Sequence, residues 1–155
     1  MPEDNLLHFE DMPPGTIFPL GPKQVTADEI IAFAMEYDAQ PMHLDEEAGK
    51  ESILGGLAAS GWHSCSMMMW MMADSYLLRA AAEGAPGVDF VKWKKPVLAG
   101  DVLSGETRVL DGRESQSRPG IGILHLRHEL RNQSGETVLE SENPVMIRLR
   151  NPERA

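Results

Sequence analysis

Apolar residues in the first third of the chain recur at the spacing of a helix that buries one face. Thr26 and Glu29 have the spacing of a capping box, in which the two residues exchange hydrogen bonds at the start of a helix. The apolar stripe that follows consists of Ile30, Ile31, Phe33, Ala34 and Tyr37. The pattern predicts a helix that ends near Tyr37, preceded by a short strand and turn in GTIFPLGPKQVT.

A second helical segment, WHSCSMMMWMMADSYLLRAAAEG, follows a stretch that contains Gly55, Gly56 and Gly61. Its first half is apolar on all sides, which is typical of a helix buried in a core. The segment contains no proline or glycine before Gly84, where the turn-forming sequence GAPG begins. We therefore predict a long central helix that continues to Gly84.

The spacing of apolar residues changes to a period of two after Gly87. Four segments have β-branched residues in this pattern: VDFVKWKKPV, DVLSGETRVL, GIGILHLRHELRN and ETVLESENPVMIRLR. NQSGE, between the last two, predicts a hairpin turn. This order of elements predicts an α+β fold, with one antiparallel sheet wrapped around one helix, in a single domain over residues 1–155.

The net charge, the cysteine count and the length of the most apolar run disfavour several classes of protein. The chain has 155 residues and a formal net charge of −10, which disfavours nucleic-acid binding. Its one cysteine, Cys65, allows no intrachain disulfide. The most apolar run, CSMMMWMMA, is far shorter than the ~20 residues of a membrane span. With no signal-peptide pattern at the N-terminus, we expect a soluble cytoplasmic protein.

The candidate chemistry lies in EYDAQPMHLDEEA, where Asp38 and His43 flank Pro41 in a loop expected after the first helix. A carboxylate and an imidazole ordinarily titrate near ~3.9 and ~6.5, so the two can share acid–base work on one water molecule. Two other interpretations stay open on these residues alone. They could be surface polar groups or a local cap, or Asp38, His43 and Asp45 could bind a metal.

Three stretches resemble the MaoC-like or (R)-specific enoyl-CoA hydratase family, whose members have the hotdog fold. YDAQPMHLD resembles the family's Asp-x-x-Pro-x-His signature, and GGLAASGWHS resembles its glycine entry into the central helix. FVKWKKPVLAGDVL resembles the strand and turn after that helix. The resemblance extends from Gly15 to Leu149. Many active members have Asn before the proline, where this chain has Gln40.

The resemblance implies roles for individual residues. Asp38 and His43 match the catalytic pair, and the N–H of Gly56 is the expected donor to the thioester oxygen. Ser64 lies where the family has a hydroxyl group near the catalytic carboxylate. Lys92 and Lys94, with Lys95 beside them, could bind the phosphates of coenzyme A or be solvated strand-end lysines.

The expected reaction is therefore hydration of a trans-2-enoyl-CoA to a (3R)-3-hydroxyacyl-CoA, or the reverse dehydration. No metal is expected, and no cofactor beyond the coenzyme A of the substrate. The alternatives are a hotdog thioesterase and a non-catalytic acyl-CoA-binding subunit. We expect a homodimer or a dimer of dimers, because an open sheet edge is a liability unless it is paired or covered. His125 and His128, in a predicted strand, are expected at the surface or an interface.

Overall fold

The computed structural model of the protein describes residues 5–152, which form a five-stranded sheet and four α-helices. Short 3₁₀ turns lie at Phe9–Asp11 and Leu77–Arg79. The helices are α1 (Ala27–Tyr37), α2 (Pro41–Leu44), α3 (Glu46–Glu51) and α4 (Gly61–Ser75). The strands are β1 (Ile17–Gln24), β2 (Phe90–Trp93), β3 (Val102–Glu114), β4 (Ile121–Arg131) and β5 (Thr137–Arg148).

The sheet is antiparallel throughout, with the strand order β1-β3-β4-β5-β2. β3, β4 and β5 form a meander, and the four-residue β2 lies at the edge beside β5. Alternate residues of β4 face the core, and they meet the methionines on the buried side of α4. This confirms the predicted α+β class and the hotdog arrangement of a sheet around one long helix. The prediction of one domain over residues 1–155 stays a prediction, because residues 1–4 and 153–155 lie outside the described part.

α1 begins and ends where its sequence pattern predicts. The Thr26 hydroxyl accepts a hydrogen bond from the Glu29 N–H at 3.2 Å, and the Glu29 carboxylate accepts one from the Thr26 N–H at 3.2 Å. Ile30 and Ala34 are buried on its inner face. The helix ends with Asp38 as its C-cap, which gives the predicted catalytic carboxylate a fixed place at a helix end.

The prediction that α4 continues to Gly84 is wrong, because the helix ends at Ser75. Tyr76 leaves helical geometry and buries its ring in the core, where its hydroxyl donates to the Thr107 hydroxyl at 3.2 Å. The chain then pairs in isolated bridges, Ala80 with Leu7 and Ala82 with Ile147. Tertiary pairing thus overrides the helix propensity of the alanines that follow.

The prediction that α4 is buried on all sides holds for only part of its surface. Its inner face is buried, but Trp62, Met69 and Trp70 are 62%, 52% and 56% exposed. These three residues form what we call the outer stripe of α4. With its 15 residues, α4 is the longest helix in the described part of the chain, and no helix there meets the length and apolarity of a membrane crossing.

Candidate active site

A cleft of about 370 Å³ opens where the end of α1, the α2 turn and the start of α4 meet the segment after β2. Asp38 and His43 lie in its wall together with Ser64. Apolar side chains, including Leu54, Trp62 and Val97, line much of the remainder. A mostly apolar cleft with a few convergent polar groups is typical of a small-molecule site.

Backbone geometry fixes the directions of Asp38 and His43. The Asp38 N–H still donates to the Ala34 carbonyl at 2.9 Å, so Asp38 is anchored to the last turn of α1. Gln40 is extended, as expected for a residue before proline, and Pro41 starts the single turn of α2 that carries His43. The prediction that the motif lies in a loop is therefore wrong in detail, because His43 belongs to a helical turn.

The two side chains face each other across a short gap. His43 Nε2 lies 3.5 Å from Asp38 Oδ2, and His43 Nδ1 lies 2.7 Å from the carbonyl oxygen of Ala58. A carbonyl can only accept a hydrogen bond, so Nδ1 carries a proton and Nε2 of the neutral ring presents its lone pair to the gap. Two acceptors therefore point at one position, where a water molecule can donate a hydrogen bond to each.

Asp38 has polar neighbours besides His43. The Gln40 amide nitrogen donates to Asp38 Oδ1 at 2.6 Å. The contact with the Ser60 hydroxyl is the largest cause that holds the pKa of Asp38 below its ordinary value, followed by the Gln40 hydrogen bond, while partial burial opposes both. Ser60 Oγ is buried and forms no hydrogen bond among the described residues. Asp38 is therefore a carboxylate at neutral pH.

The N-terminus of α4 opens into the cleft at Gly61. Backbone N–H groups in the first turn of a helix have no partner within the helix, and the Ser60 side chain does not cap them. A Cβ at Gly61 would lie 2.6 Å from the Trp93 ring, so only glycine fits between the ring and the helix start. The Trp93 indole N–H donates to the Gly61 carbonyl at 2.9 Å and secures this packing.

Gly56, the expected donor to the thioester oxygen, does not line the cleft. A Cβ there would meet Leu98 at 3.5 Å, an ordinary contact, and the positive φ of this turn belongs to Gly55. The role of Gly56 stays a prediction, and the geometry favours Gly61 for the same chemistry.

Ser64 lines the cleft and is buried, as its expected role requires. Ser60, which the sequence prediction did not include, has a buried hydroxyl without a hydrogen-bond partner among the described residues, and it contributes to the lowered pKa of Asp38. A signal for it was present, since a serine directly before a helix start is a common N-cap residue. The orienting role of Ser64 stays a prediction.

The three lysines after the start of β2 have different surroundings. Lys94 and Lys95 line the cleft, whereas Lys92 does not. The Lys92 ammonium lies 5.2 Å from the centre of the Phe90 ring, and Lys95 forms an ion pair with Glu136. Lys94 has no ion-pair partner among residues 5–152, so its ammonium is available to an anionic ligand.

Two further expectations can be compared with the structure. His128 is fully buried within the chain, so its predicted place at the surface or an interface is wrong. It faces the core because it follows the inward alternation of β4. Asp45 caps α3 by accepting a hydrogen bond from the Ala48 N–H at 3.0 Å, so it has a structural role. In the described part of the chain, no cluster of three His, Cys, Asp or Glu side chains could hold a metal ion.

Solved structures that share this fold include proteins described as a dehydratase and a hydratase. The MaoC-like dehydratase from Rhodospirillum rubrum is 40% identical, covers 93% of this chain and 98% of its own, and superposes with a TM-score of 0.85. The (R)-hydratase from A. caviae involved in PHA biosynthesis is 23% identical, with a TM-score of 0.71 over 90% of this chain and 98% of its own. At that identity the second likeness supports the fold alone.

Curated relatives match over different lengths. Uncharacterized protein YdeM of Bacillus subtilis is 28% identical over 134 residues, which span 86% of this chain and 94% of the relative. Mesaconyl-CoA hydratase of Cereibacter sphaeroides is 39% identical over 59 residues, or 38% of this chain, but only 17% of the relative's length is matched. The family model described as MaoC like domain matches residues 12–122. The chain therefore belongs to the MaoC-like dehydratase family.

Proposed function

We propose that the protein hydrates a trans-2-enoyl-CoA to a (3R)-3-hydroxyacyl-CoA and catalyses the reverse dehydration. The observation that carries this proposal is the 3.5 Å gap between Asp38 Oδ2 and His43 Nε2, which presents two proton acceptors to one water molecule. Such a pair orients the lone pair of the water oxygen outward, toward the cleft where a substrate would lie.

The chemical steps balance with these two residues and the helix end. The water oxygen bonds to the β-carbon of the enoyl group while one water proton moves to His43 Nε2. The electron pair of the double bond shifts to the thioester, where negative charge on oxygen meets the free N–H groups at the start of α4. The proton on Nε2 then passes to the α-carbon, which restores the neutral imidazole. Asp38 stays ionised, holds the second hydrogen of the water and stabilises the transient imidazolium.

A CoA thioester is the proposed form of the substrate. Lys94 lies at the cleft of a chain whose net charge is −10 and has no ion-pair partner among residues 5–152, so it provides a local positive charge for phosphates. The match of 59 residues to mesaconyl-CoA hydratase supports the same substrate class. The phosphate-binding role of Lys94 is part of this proposal, and that of Lys92 stays a prediction.

We further propose that the protein forms a homodimer or a dimer of dimers. The outer stripe of α4 exposes large apolar side chains, and β2 has an unpaired edge in the described chain. A second copy placed beside β2 would pair this edge and cover apolar surface, which removes both liabilities.

The thioesterase alternative has less support from the cleft. Asp38 is the one carboxylate among the described residues that line it, and it faces His43 and Gln40. A non-catalytic binding role would not require Asp38 Oδ2 and His43 Nε2 to face each other. The replacement of Asn by Gln40 is compatible with catalysis, because its amide reaches Asp38.

Turnover of crotonyl-CoA tests the proposal directly. We expect loss of the enoyl absorbance, formation of 3-hydroxybutyryl-CoA with the (3R) configuration on chiral analysis, and no release of free CoA. Asp38→Asn is the matched control, since it keeps the size of the side chain and removes the charge. Release of CoA without hydration would favour a thioesterase, and binding without either product would favour a binding subunit.

A further inference from the structure

Two tryptophans form an exposed aromatic corner at the active-site cleft. Trp62 and Trp93 both line the cleft, and their ring planes meet at 81° with the ring centroids 5.3 Å apart. The two residues are 62% and 47% exposed, so a large part of each remains open to a ligand. Contiguous exposed apolar surface beside a pocket is typical of a binding site. We call this pair the aromatic corner.

The aromatic corner is held in place although it is exposed. The Trp93 indole N–H donates to the Gly61 carbonyl at 2.9 Å, and a Cβ at Gly61 would lie 2.6 Å from the Trp93 ring. The ring therefore lies directly against the start of α4. Trp62 is the next residue of the same helix. A ligand that contacts these rings immobilises few side-chain torsions, which keeps the entropic cost of binding low.

The lining of the cleft divides into a buried part and an exposed part. Ala58, Ala59 and Val97 are buried, whereas the aromatic corner and Lys94 are exposed. An apolar acyl chain gains most from the buried part, because it is removed from water there. The exposed part suits the portion of a ligand that leaves the cleft. Lys94 directly follows Trp93, so a positive charge lies next to the aromatic corner.

We propose that the aromatic corner binds the pantetheine arm of the thioester, between the start of α4, which would hold the thioester oxygen, and Lys94, which would meet the phosphates. This inference rests on the proposed function, because it takes the substrate to be a CoA thioester. The arm is uncharged and carries methyl groups as well as amides, so its apolar carbon packs on the indole faces while its amides face water. Trp62 also belongs to the outer stripe of α4, so this subsite lies beside the proposed subunit interface.

The indole N–H signals test binding of the arm without reference to activity. The chain has three tryptophans, and Trp62→Phe, Trp70→Phe and Trp93→Phe assign one nitrogen-15 NMR signal each. We expect titration with pantetheine to shift the signals of Trp62 and Trp93 and to leave that of Trp70 unchanged. Trp70 is a matched reference, because it is 56% exposed on the same helix but does not line the cleft. Unchanged signals from both corner residues, or equal shifts of all three, would overturn the inference.

Thioesters that differ only in the length of the arm test the same contact during turnover. In Trp62→Ala we expect kcat/KM to fall roughly 10-fold for crotonyl-CoA and crotonyl-pantetheine, the scale of one lost aromatic contact. Crotonyl-N-acetylcysteamine carries only the first part of the arm and should change little. The loss should appear in KM with kcat unchanged, because the arm is bound alike in the ground state and the transition state. Trp62→Phe should recover most of the loss.

Trp70→Ala is the matched control, since it removes an indole from the outer stripe of α4 but not from the cleft. A loss in Trp70→Ala equal to that in Trp62→Ala would overturn the inference, because it would assign the effect to assembly. Equal losses for all three thioesters in Trp62→Ala, or no loss for any, would also overturn it. So would a loss that grows from crotonyl-CoA to trans-2-octenoyl-CoA, which would assign the aromatic corner to the acyl chain. If the native protein hydrates none of these substrates, the proposed function fails while the pantetheine titration still decides the subsite.

Discussion

At the scale of single residues, the proposed reaction depends on two side chains, Asp38 and His43, that would each accept a hydrogen bond from one water molecule. Asp38→Asn removes the negative charge, and His43→Ala removes the proton carrier. We expect each to lower kcat/KM for hydration by at least about 100-fold, because general acid–base groups contribute ~10²–10⁴-fold. The double variant should be little worse than either single one, since the two residues act as a unit. Steady-state kinetics with crotonyl-CoA measure all three.

Lys50→Ala offers a control for these measurements, because Lys50 lies outside the cleft in an exposed ion pair with Glu46. Near-normal hydration by either single variant would remove that residue from the mechanism. A double variant whose loss equals the product of the single losses would show that Asp38 and His43 act on different steps.

At the scale of elements, the start of α4 is where backbone and substrate would meet. Gly61→Ala places a Cβ 2.6 Å from the Trp93 ring, so the ring must shift into the cleft or the helix start must move. We expect kcat/KM per folded site to fall by roughly 10²–10³-fold, the scale of a lost oxyanion donor in a hydrolase. Gly56→Ala meets only Leu98 at 3.5 Å, and we expect near-normal hydration.

Thermal midpoints recorded on the same preparations separate packing from catalysis. A lowered midpoint with unchanged kcat/KM in Gly61→Ala would mean that Gly61 serves only the packing of Trp93. A catalytic loss in Gly56→Ala at an unchanged midpoint would instead support the sequence-based assignment of Gly56.

At the scale of the whole molecule, the outer stripe of α4 predicts self-association. Trp70→Glu places a charge on an exposed apolar position of the proposed interface. We expect the native protein to sediment as a dimer or larger species at micromolar concentration and Trp70→Glu to shift toward the monomer. Leu110→Glu, at a partly exposed apolar position on β3, is the control and should leave the assembly unchanged. A native monomer at that concentration would contradict the prediction.

Buried histidines predict how the stability of the whole fold depends on pH. Burial lowers the pKa of His128, which bonds Thr107 at 2.8 Å and Asn143 at 2.7 Å, and burial also lowers the pKa of His63, whose ring stacks on Phe33. Below about pH 6.5 these histidines bind protons in the unfolded chain, whereas in the folded state they stay neutral to lower pH. The free energy of unfolding should therefore fall as the pH drops from about 6.5, by at most ~1.4 kcal/mol per pH unit for each histidine.

Urea denaturation between pH 7.5 and 5 measures this slope. His128→Gln should unfold more readily at all pH values but show a shallower decline below about pH 6.5. Thr107→Val removes a partner of His128 and keeps the imidazole, so its decline should stay steep. Equal slopes in the native protein and His128→Gln would show that His128 does not contribute to acid sensitivity.

The sequence by itself determined most of the fold and pointed to the proposed acid–base pair. Local signals were sufficient for α1, because its cap and apolar stripe lie within one short segment. Period-two alternation was sufficient for the strands, because each strand buries one face. The Asp-x-x-Pro-x-His spacing was sufficient for Asp38 and His43, since both lie close together in the chain.

Only the tertiary structure decided features that join distant parts of the chain. The end of α4 at Ser75 depends on the burial of Tyr76 against Thr107. The close packing of Gly61 depends on the contact of the α4 start with Trp93 of β2. Local propensity carries no information about such partners, because their energies arise only after the sheet brings the segments together.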